Sequence, residues 1–250
     1  MVEVAPGAVL VTRPEPGGAE TAARLARLGL RAVLAPALVL TPRPFRLARA
    51  QAVVLASRAG ARALPAPVPG LPVLAVGEAT AEAARERGWA ATPAGGTAAD
   101  IVAHAARHLD PAAGPLLLAV GRGYSLELAA ALRARGFRVV RRIAYVASPA
   151  TALPEEAVRA LRAGEVRTIL FHSPRSARCA ITLFRAAGLA ATAAGAEALA
   201  ISPRVAEAAA AAIAPLAWRA MRVAGRPDEA ALLALLGQGG RAADDPSGET

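Results

Sequence analysis

The chain has no lysine, one cysteine, three histidines and few aromatic side chains, and each shortage removes a class of function. A lone cysteine, Cys179, excludes an intramolecular disulfide framework and a cysteine-based metal site. His104 and His108 stand four residues apart on a predicted helix, but neither an HExxH pattern nor a third ligand accompanies them, and His172 is remote in sequence, so no protein zinc site is expected. Aromatics make up 3 % of the chain, and the arginines are scattered, so the basic cluster with interleaved stacking platforms of a nucleic-acid groove is missing. Residues 1–8 lack the basic and apolar regions of a signal peptide. The longest apolar stretch, 208–218, is alanine-rich, broken by Pro215 and too short to span a bilayer. A soluble, cytoplasmic protein with no membrane partner is expected. Without lysine there is no Walker A motif, and Gly121-Arg122-Gly123 lacks the third glycine of a dinucleotide fingerprint. Ser57 and Ser173 sit in no GxSxG elbow. Glu155-Glu156 is a lone carboxylate pair at a predicted helix start, where its role is to stabilise the helix dipole.

What remains is a 250-residue chain, 55 % hydrophobic and with a formal charge of +10. Much of the apolar content is alanine, so the core is expected to be Ala, Leu and Val between closely packed helices. The use of arginine alone has two readings, a GC-rich genome or a need for guanidinium forks that match carboxylates and phosphates. The charge points to a polyanionic partner, either nucleic acid or an acidic small molecule. Short apolar runs at 8–12, 52–56, 72–76, 116–120, 168–171 and 198–201 alternate with stretches of helical period. They are continuous rather than alternating, as strands are when helices cover both faces. Four helices end in the same way, at Leu28-Gly29-Leu30, Arg87-Gly88-Trp89, Arg135-Gly136-Phe137 and Ala187-Gly188-Leu189, where glycine can close a helix in the left-handed conformation. Repeated strand–turn–helix–Gly units predict a doubly wound α/β architecture with parallel sheets.

Three blocks recur in the same order. LVTRPEPGGAETAARLARLGLRAV from Leu10 parallels LLAVGRGYSLELAAALRARGFRVV from Leu117. VVLASRAGARAL from Val53 parallels TILFHSPRSARCA from Thr168, and PVLAVGEATAEAA from Pro72 parallels ALAISPRVAEAAA from Ala198. The chain therefore holds two similar α/β units. Segments 37–41 and 141–148 read as extended connectors rather than core strands, and the aperiodic tail beyond Gly237 reads as disordered.

Ligands of open α/β sheets bind beyond the C-terminal ends of the strands, at helix N-termini. That places six loops at the expected site: Thr12-Arg13-Pro14, Ser57-Arg58, residues 77–80, residues 121–125, residues 173–176 and residues 202–204. Their amides and helix dipoles attract carboxylates or phosphates. Ser57, Ser125 and Ser173 equally suit helix capping alone. Read from the residues, the protein is a two-domain α/β molecule that clamps a polyanion.

The blocks VLVTRPEP with its following helix, VVLASRAGARAL, PVLAVGEATAEAARERGW, RVVRRIAYVA, FHSPRSARCA and PDEAALLALL, taken in this order and spacing, resemble the uroporphyrinogen-III synthase family over residues 8–236. The resemblance implies a chain that leaves its first domain, builds the second and returns through a two-stranded linker. Domain one would be residues 1–36 with 149–237, domain two 41–140, the linker strands 37–40 and 141–148, and the tail 238–250. It implies cyclisation of hydroxymethylbilane to uroporphyrinogen III with inversion of ring D and loss of water, without a cofactor. A monomer is expected because no exposed apolar helix or edge strand stands out. Tyr145 matches the family's linker tyrosine and would donate a hydrogen bond to the departing hydroxyl, or else pack between the domains. Arg13, Ser57, Gly77, Thr80 and Ser173 match positions lining the substrate site, and Thr12, Arg122, Ser202 and Arg204 join them as expected substrate contacts. Two departures stand out. Ser202-Pro203-Arg204-Val205 replaces a Gly-x-x-Thr block, and Arg122 follows Gly121 where an arginine is expected before it. The first departure also fits a non-catalytic tetrapyrrole-binding or regulatory protein derived from the synthase, which would bind the bilane without isomer control.

Overall fold

In the computed structural model, which describes residues 7–238, the apolar runs of the sequence become strands and the segments of helical period become helices. In chain order the elements are β1 (Ala8–Val11), α1 (Gly17–Arg27), β2 (Ala32–Leu34), β3 (Leu38–Pro42), β4 (Ala52–Leu55), α2 (Arg58–Arg62), β5 (Val73–Ala75), α3 (Glu78–Arg85), β6 (Ala91–Pro93), α4 (Ala98–His108) and β7 (Leu116–Gly121). There follow α5 (Leu126–Ala134), β8 (Val139–Pro149), α6 (Glu155–Arg162), β9 (Val166–Phe171), α7 (Pro174–Ala186), α8 (Ala190–Ala194), β10 (Glu197–Ala200), α9 (Pro203–Ile213), β11 (Ala220–Val223) and α10 (Glu229–Ala234). Two compact units result. One takes the described residues up to Val39 and from Pro149 onward, and the other is the continuous segment Leu40–Ser148.

The first unit is built on a parallel sheet of order β11-β10-β9-β1-β2. The second has the order β3-β8-β7-β4-β5-β6, parallel from β8 through β6. At its edge, the Arg43 N–H donates to the Ala144 carbonyl at 2.7 Å, and the Ala150 N–H donates to the Ala37 carbonyl at 3.0 Å. Residue numbers rise along one strand and fall along the other, so β3 runs antiparallel to β8. With β3 set aside, the two sheets correspond in order: β1 answers to β7, β9 to β4 and β10 to β5. These are the three pairs of sequence blocks that repeat. The units share one strand order, and the chain enters it at different points.

Helices cover both faces of each sheet, which is why the strands are apolar throughout. In β1, Ala8 and Leu10 join one core while Val9 and Val11 join another across the sheet. In β4, Ala52 and Val54 face one core and Val53 and Leu55 the other. The four glycine-ended helices close alike. Gly29, Gly88, Gly136 and Gly188 have φ of 72°, 83°, 85° and 69°. In each case the next apolar residue donates its N–H five residues back, as Leu30 does to the Leu25 carbonyl at 3.0 Å. Glu155 and Glu156 lie in the first turn of α6, where the dipole reading put them.

Three short strands, β2, β6 and β11, are not evident from the apolar runs. The segment read as a connector at 141–148 is also corrected. Val139 through Ile143 pair in register with Leu116 through Val120, so the first half of β8 is a sheet strand. Arg141 and Arg142 hide it, because a strand near a sheet edge is only half-buried and tolerates long cationic side chains, Arg141 donating from Nη2 to the Tyr124 carbonyl at 2.8 Å. The tail from residue 239, expected to be disordered, lies outside the described residues.

Candidate active site

Strand order decides where each unit can bind a ligand. In an open α/β sheet the crevice forms where successive crossovers diverge to opposite sides. In the first unit that point lies between β1 and β9, and in the second between β4 and β7. The residues that follow these four strands are Thr12-Arg13, His172-Ser173, Ser57-Arg58 and Arg122.

Thr12 closes β1 with its side chain turned inward. It is fully buried, and its hydroxyl donates to the Leu170 carbonyl at 2.7 Å, tying β1 to β9. Arg13 comes next and points outward. Its Nη1 lies 3.1 Å from Glu229 Oε1 and donates to the Thr21 hydroxyl at 3.3 Å. Glu229, in the first turn of α10, also receives the Thr21 hydroxyl and the Arg24 guanidinium. His172 sits beneath this group. Its side chain is 9 % exposed, neither ring nitrogen has a hydrogen-bond partner among the described residues, and Nε2 lies 3.9 Å from Glu229 Oε1. Burial, reinforced by the Arg13 charge and opposed by Glu229, pushes its pKa down to about 4, so the ring is neutral near pH 7. Burial alone would raise the Glu229 carboxyl, but Thr21, Arg13, Arg24 and His172 together hold it below the usual carboxylate range.

Ser173 caps α7, accepting the Ser176 N–H at 3.1 Å while its hydroxyl donates to Ser176 Oγ at 3.0 Å. Ser202 occupies the corresponding place before α9 with its hydroxyl making no capping bond, and Arg204 beside it is exposed.

In the second unit four expected residues meet. Ser57 caps α2, accepting the Gly60 N–H at 3.2 Å, and its Oγ lies 3.3 Å from the Tyr145 hydroxyl. Tyr145 is 8 % exposed, and burial raises its pKa above the usual phenol value, so it stays protonated at physiological pH. Gly121 lies against its ring: a Cβ there would come within 2.7 Å of two Tyr145 ring carbons and 2.9 Å of Tyr124. The Arg122 N–H donates to the Tyr145 carbonyl at 3.1 Å, which leaves the arginine side chain exposed at the turn. Gly77 and Thr80 lie at the start of α3, beyond β5. Gly77 is extended and its carbonyl receives the Thr80 and Ala81 N–H groups, while the Thr80 side chain is buried. Of the three serines weighed as caps, Ser57 and Ser173 cap with their side chains. Ser125 does not and adopts a left-handed backbone instead.

Several arginines prove to be structural. Arg185 gathers the carbonyls of Ala212, Ile213 and Ala214 at the end of α9, and Arg87 donates twice to the Leu64 carbonyl. Among the described residues, no group of three or more His, Cys, Asp or Glu is placed to hold a metal ion, and no helix is long and apolar enough to cross a membrane.

Residues 19–234 match the family model described as Uroporphyrinogen-III synthase HemD. The chain belongs to the uroporphyrinogen-III synthase family. Membership makes it an enzyme, a cyclising lyase of porphyrin biosynthesis. Among solved structures, it is similar to the uroporphyrinogen-III synthetase of Helicobacter pylori, with a TM-score of 0.58 and 13 % identity over 93 % of this chain and 99 % of that one. A mutant uroporphyrinogen III synthase from the extremely thermophilic bacterium Thermus thermophilus gives 0.45 and 19 % over 93 % and 98 %. At 13 % identity the likeness to the Helicobacter pylori structure speaks for the fold alone. No curated protein matches in sequence. The sequence does not reveal Glu229 as a neighbour of Arg13, because it stands 208 residues from Thr21, the residue it shares with that arginine; Thr21 and Gly17 are close to Arg13 in sequence, but no motif marks them.

Proposed function

We propose that this chain closes hydroxymethylbilane to uroporphyrinogen III, inverting ring D and releasing water, and that it does so as a cytoplasmic monomer without a cofactor. The observation that carries the reading is the Ser57–Tyr145 pair at the divergence point of the second sheet: a phenol kept protonated by burial, oriented by a hydroxyl and backed by Gly121. β3 and the second half of β8, from Ala144, serve as the two-stranded connector of a discontinuous first domain, and Tyr145 belongs to that half.

In this reading Tyr145 donates a hydrogen bond to the hydroxyl of the bilane as its carbon–oxygen bond breaks; the hydroxide and the proton of the same pyrrole nitrogen leave as water, and an azafulvene remains. Ring D attacks the azafulvene carbon through its own substituted carbon. The spiro intermediate fragments at its other bond and recloses with ring D reversed, and loss of the ring proton restores the pyrrole. Closure in solution takes the less hindered route to the type I isomer. The protein's work is therefore chiefly to hold the chain in the conformation that brings the disfavoured carbon nearest. Arg13, Arg122 and Arg204, with the amides at Ser57, Gly77, Ser173 and Ser202, receive the carboxylates. Thr12 and Thr80 contribute from inside, by fixing the strand and helix that carry these groups.

The test supplies freshly generated hydroxymethylbilane to the purified protein and separates the oxidised porphyrin isomers. Type III product without added metal or nucleotide is expected. Type I alone from folded protein refutes the proposal in favour of a tetrapyrrole binder without isomer control.

A further inference from the structure

We propose that Gly17, Thr21 and Glu229 are positioning residues that preset the Arg13 guanidinium for a substrate carboxylate, an inference that rests on the synthase reading above. Arginine has many rotamers, and this one is held at the start of a helix, where the dipole disfavours a cation. Something must keep it there. Its backbone is restrained by the following Pro14, which drives the preceding residue to extended angles. Its side chain is restrained by the three residues named.

Gly17, buried at the start of α1, supplies space. A Cβ at this position would fall 2.9 Å from both Cδ and Cζ of Arg13 and closer still to Nε, so the guanidinium lies where any other residue would put its side chain. Glu229 supplies the countercharge at 3.1 Å, and Thr21, fully buried, supplies an acceptor at 3.3 Å. Glu229 is itself fixed from two sides. Arg24 and Thr21 grip its carboxylate, and Asp228 caps α10 by accepting the Ala231 N–H at 2.8 Å. Both contacts of Arg13 use Nη1, which leaves Nη2 for a ligand, and the side chain retains 22 % exposure.

The experiment is a double-mutant cycle read by steady-state kinetics, with hydroxymethylbilane generated in the assay from porphobilinogen and type III product quantified. Gly17→Ala is expected to raise KM about tenfold with little change in kcat, by displacing the guanidinium. It leaves thermal stability equal or higher, because alanine replaces glycine in a helix and the atom displaced is the end of a flexible side chain. In an Arg13→Ala background, Gly17→Ala should add nothing. Thr21→Val should raise KM as Gly17→Ala does, and Thr21→Ser should restore it. A wild-type protein that yields only type I isomer removes the synthase reading and this inference with it. An active wild type overturns the positioning alone if Gly17→Ala leaves KM within about twofold, or if it raises KM equally in the presence and absence of Arg13.

Discussion

His172 makes the first unit sensitive to acid in a calculable way. Its folded-state pKa is about 4 against an ordinary value of 6.5, because the ring is buried and faces Arg13, while Glu229 offsets only part of this. A histidine whose pKa is depressed on folding binds its proton more readily in the unfolded chain. Its contribution is therefore fully present above about pH 6.5 and is lost as pH falls towards 4. Between pH 7.5 and 5.0 the two pKa values give a loss of about 2 kcal/mol. Glu229, depressed in the folded state, also loses stabilisation on acidification, and because His172 is among the groups that hold its carboxyl down, the comparison reads the two groups together. The comparison to make is wild type against His172→Phe, which removes the titrating group and keeps a ring. The molecule offers a clean probe, since it has two tryptophans, one in each unit: Trp218 packs edge-on against Phe171 at 5.4 Å, next to His172, and Trp89 lies in the other. In a Trp89→Phe background, urea unfolding followed by Trp218 fluorescence reports the first unit. Wild type should lose about 2 kcal/mol more than His172→Phe between pH 7.5 and 5.0. Equal pH dependence in the two proteins would show that His172 is not the buried neutral group described above.

Other substitutions probe the second sheet and the strand ends. Tyr145→Phe keeps the ring and removes the phenol, and type III formation should fall by a factor of about 10² while the fold is retained; undiminished turnover removes Tyr145 from the mechanism. Gly121→Ala should push the Tyr145 ring off Ser57, costing about 1–3 kcal/mol in thermal unfolding together with a loss of turnover. Thr12→Val, nearly isosteric, leaves the buried Leu170 carbonyl without its donor, and about 2 kcal/mol of destabilisation is expected by chemical denaturation.

The doubly wound fold was legible because its signals are local. Strands covered on both faces must be apolar throughout, as β1 and β7 are, and the glycines after α1, α3, α5 and α7 mark helix ends through a backbone angle that other residues resist. The short edge strands β2, β6 and β11 carry little apolar area and gave no comparable signal. β8 was misread for the same reason, its arginines belonging to a strand that is only half-covered. At the candidate site, the residues that follow strands could be placed from the sequence, since position after a strand is a local property. Thr12 shows the limit: its place was foreseen, but the direction of its side chain depends on pairing with β9, far along the chain. The grip of Glu229 on Arg13 was invisible for that reason too. Charge counting misled in one respect, since arginines such as Arg185 and Arg87 spend their donors on carbonyls at helix and loop ends.

The insertion of one unit within the other bears on how the chain assembles. The strands β1 and β9 are adjacent in space, yet the hydrogen bond that ties them, from Thr12 to Leu170, spans 158 residues. Closing so long a loop in an unstructured chain is entropically costly and kinetically slow. The intervening segment Leu40–Ser148 is continuous, holds a complete strand set and two cores of its own, and has its ends pinned together where β3 meets β8. Just beyond its ends, where β3 continues against β8, the Ala150 N–H donates to the Ala37 carbonyl at 3.0 Å. The two halves of the interrupted unit are then neighbours, and the search that remains is short. The connection from β1 to β9 is thus closed at its base by β3 and β8, so the chain that bridges them is held as a folded insert rather than as a free loop.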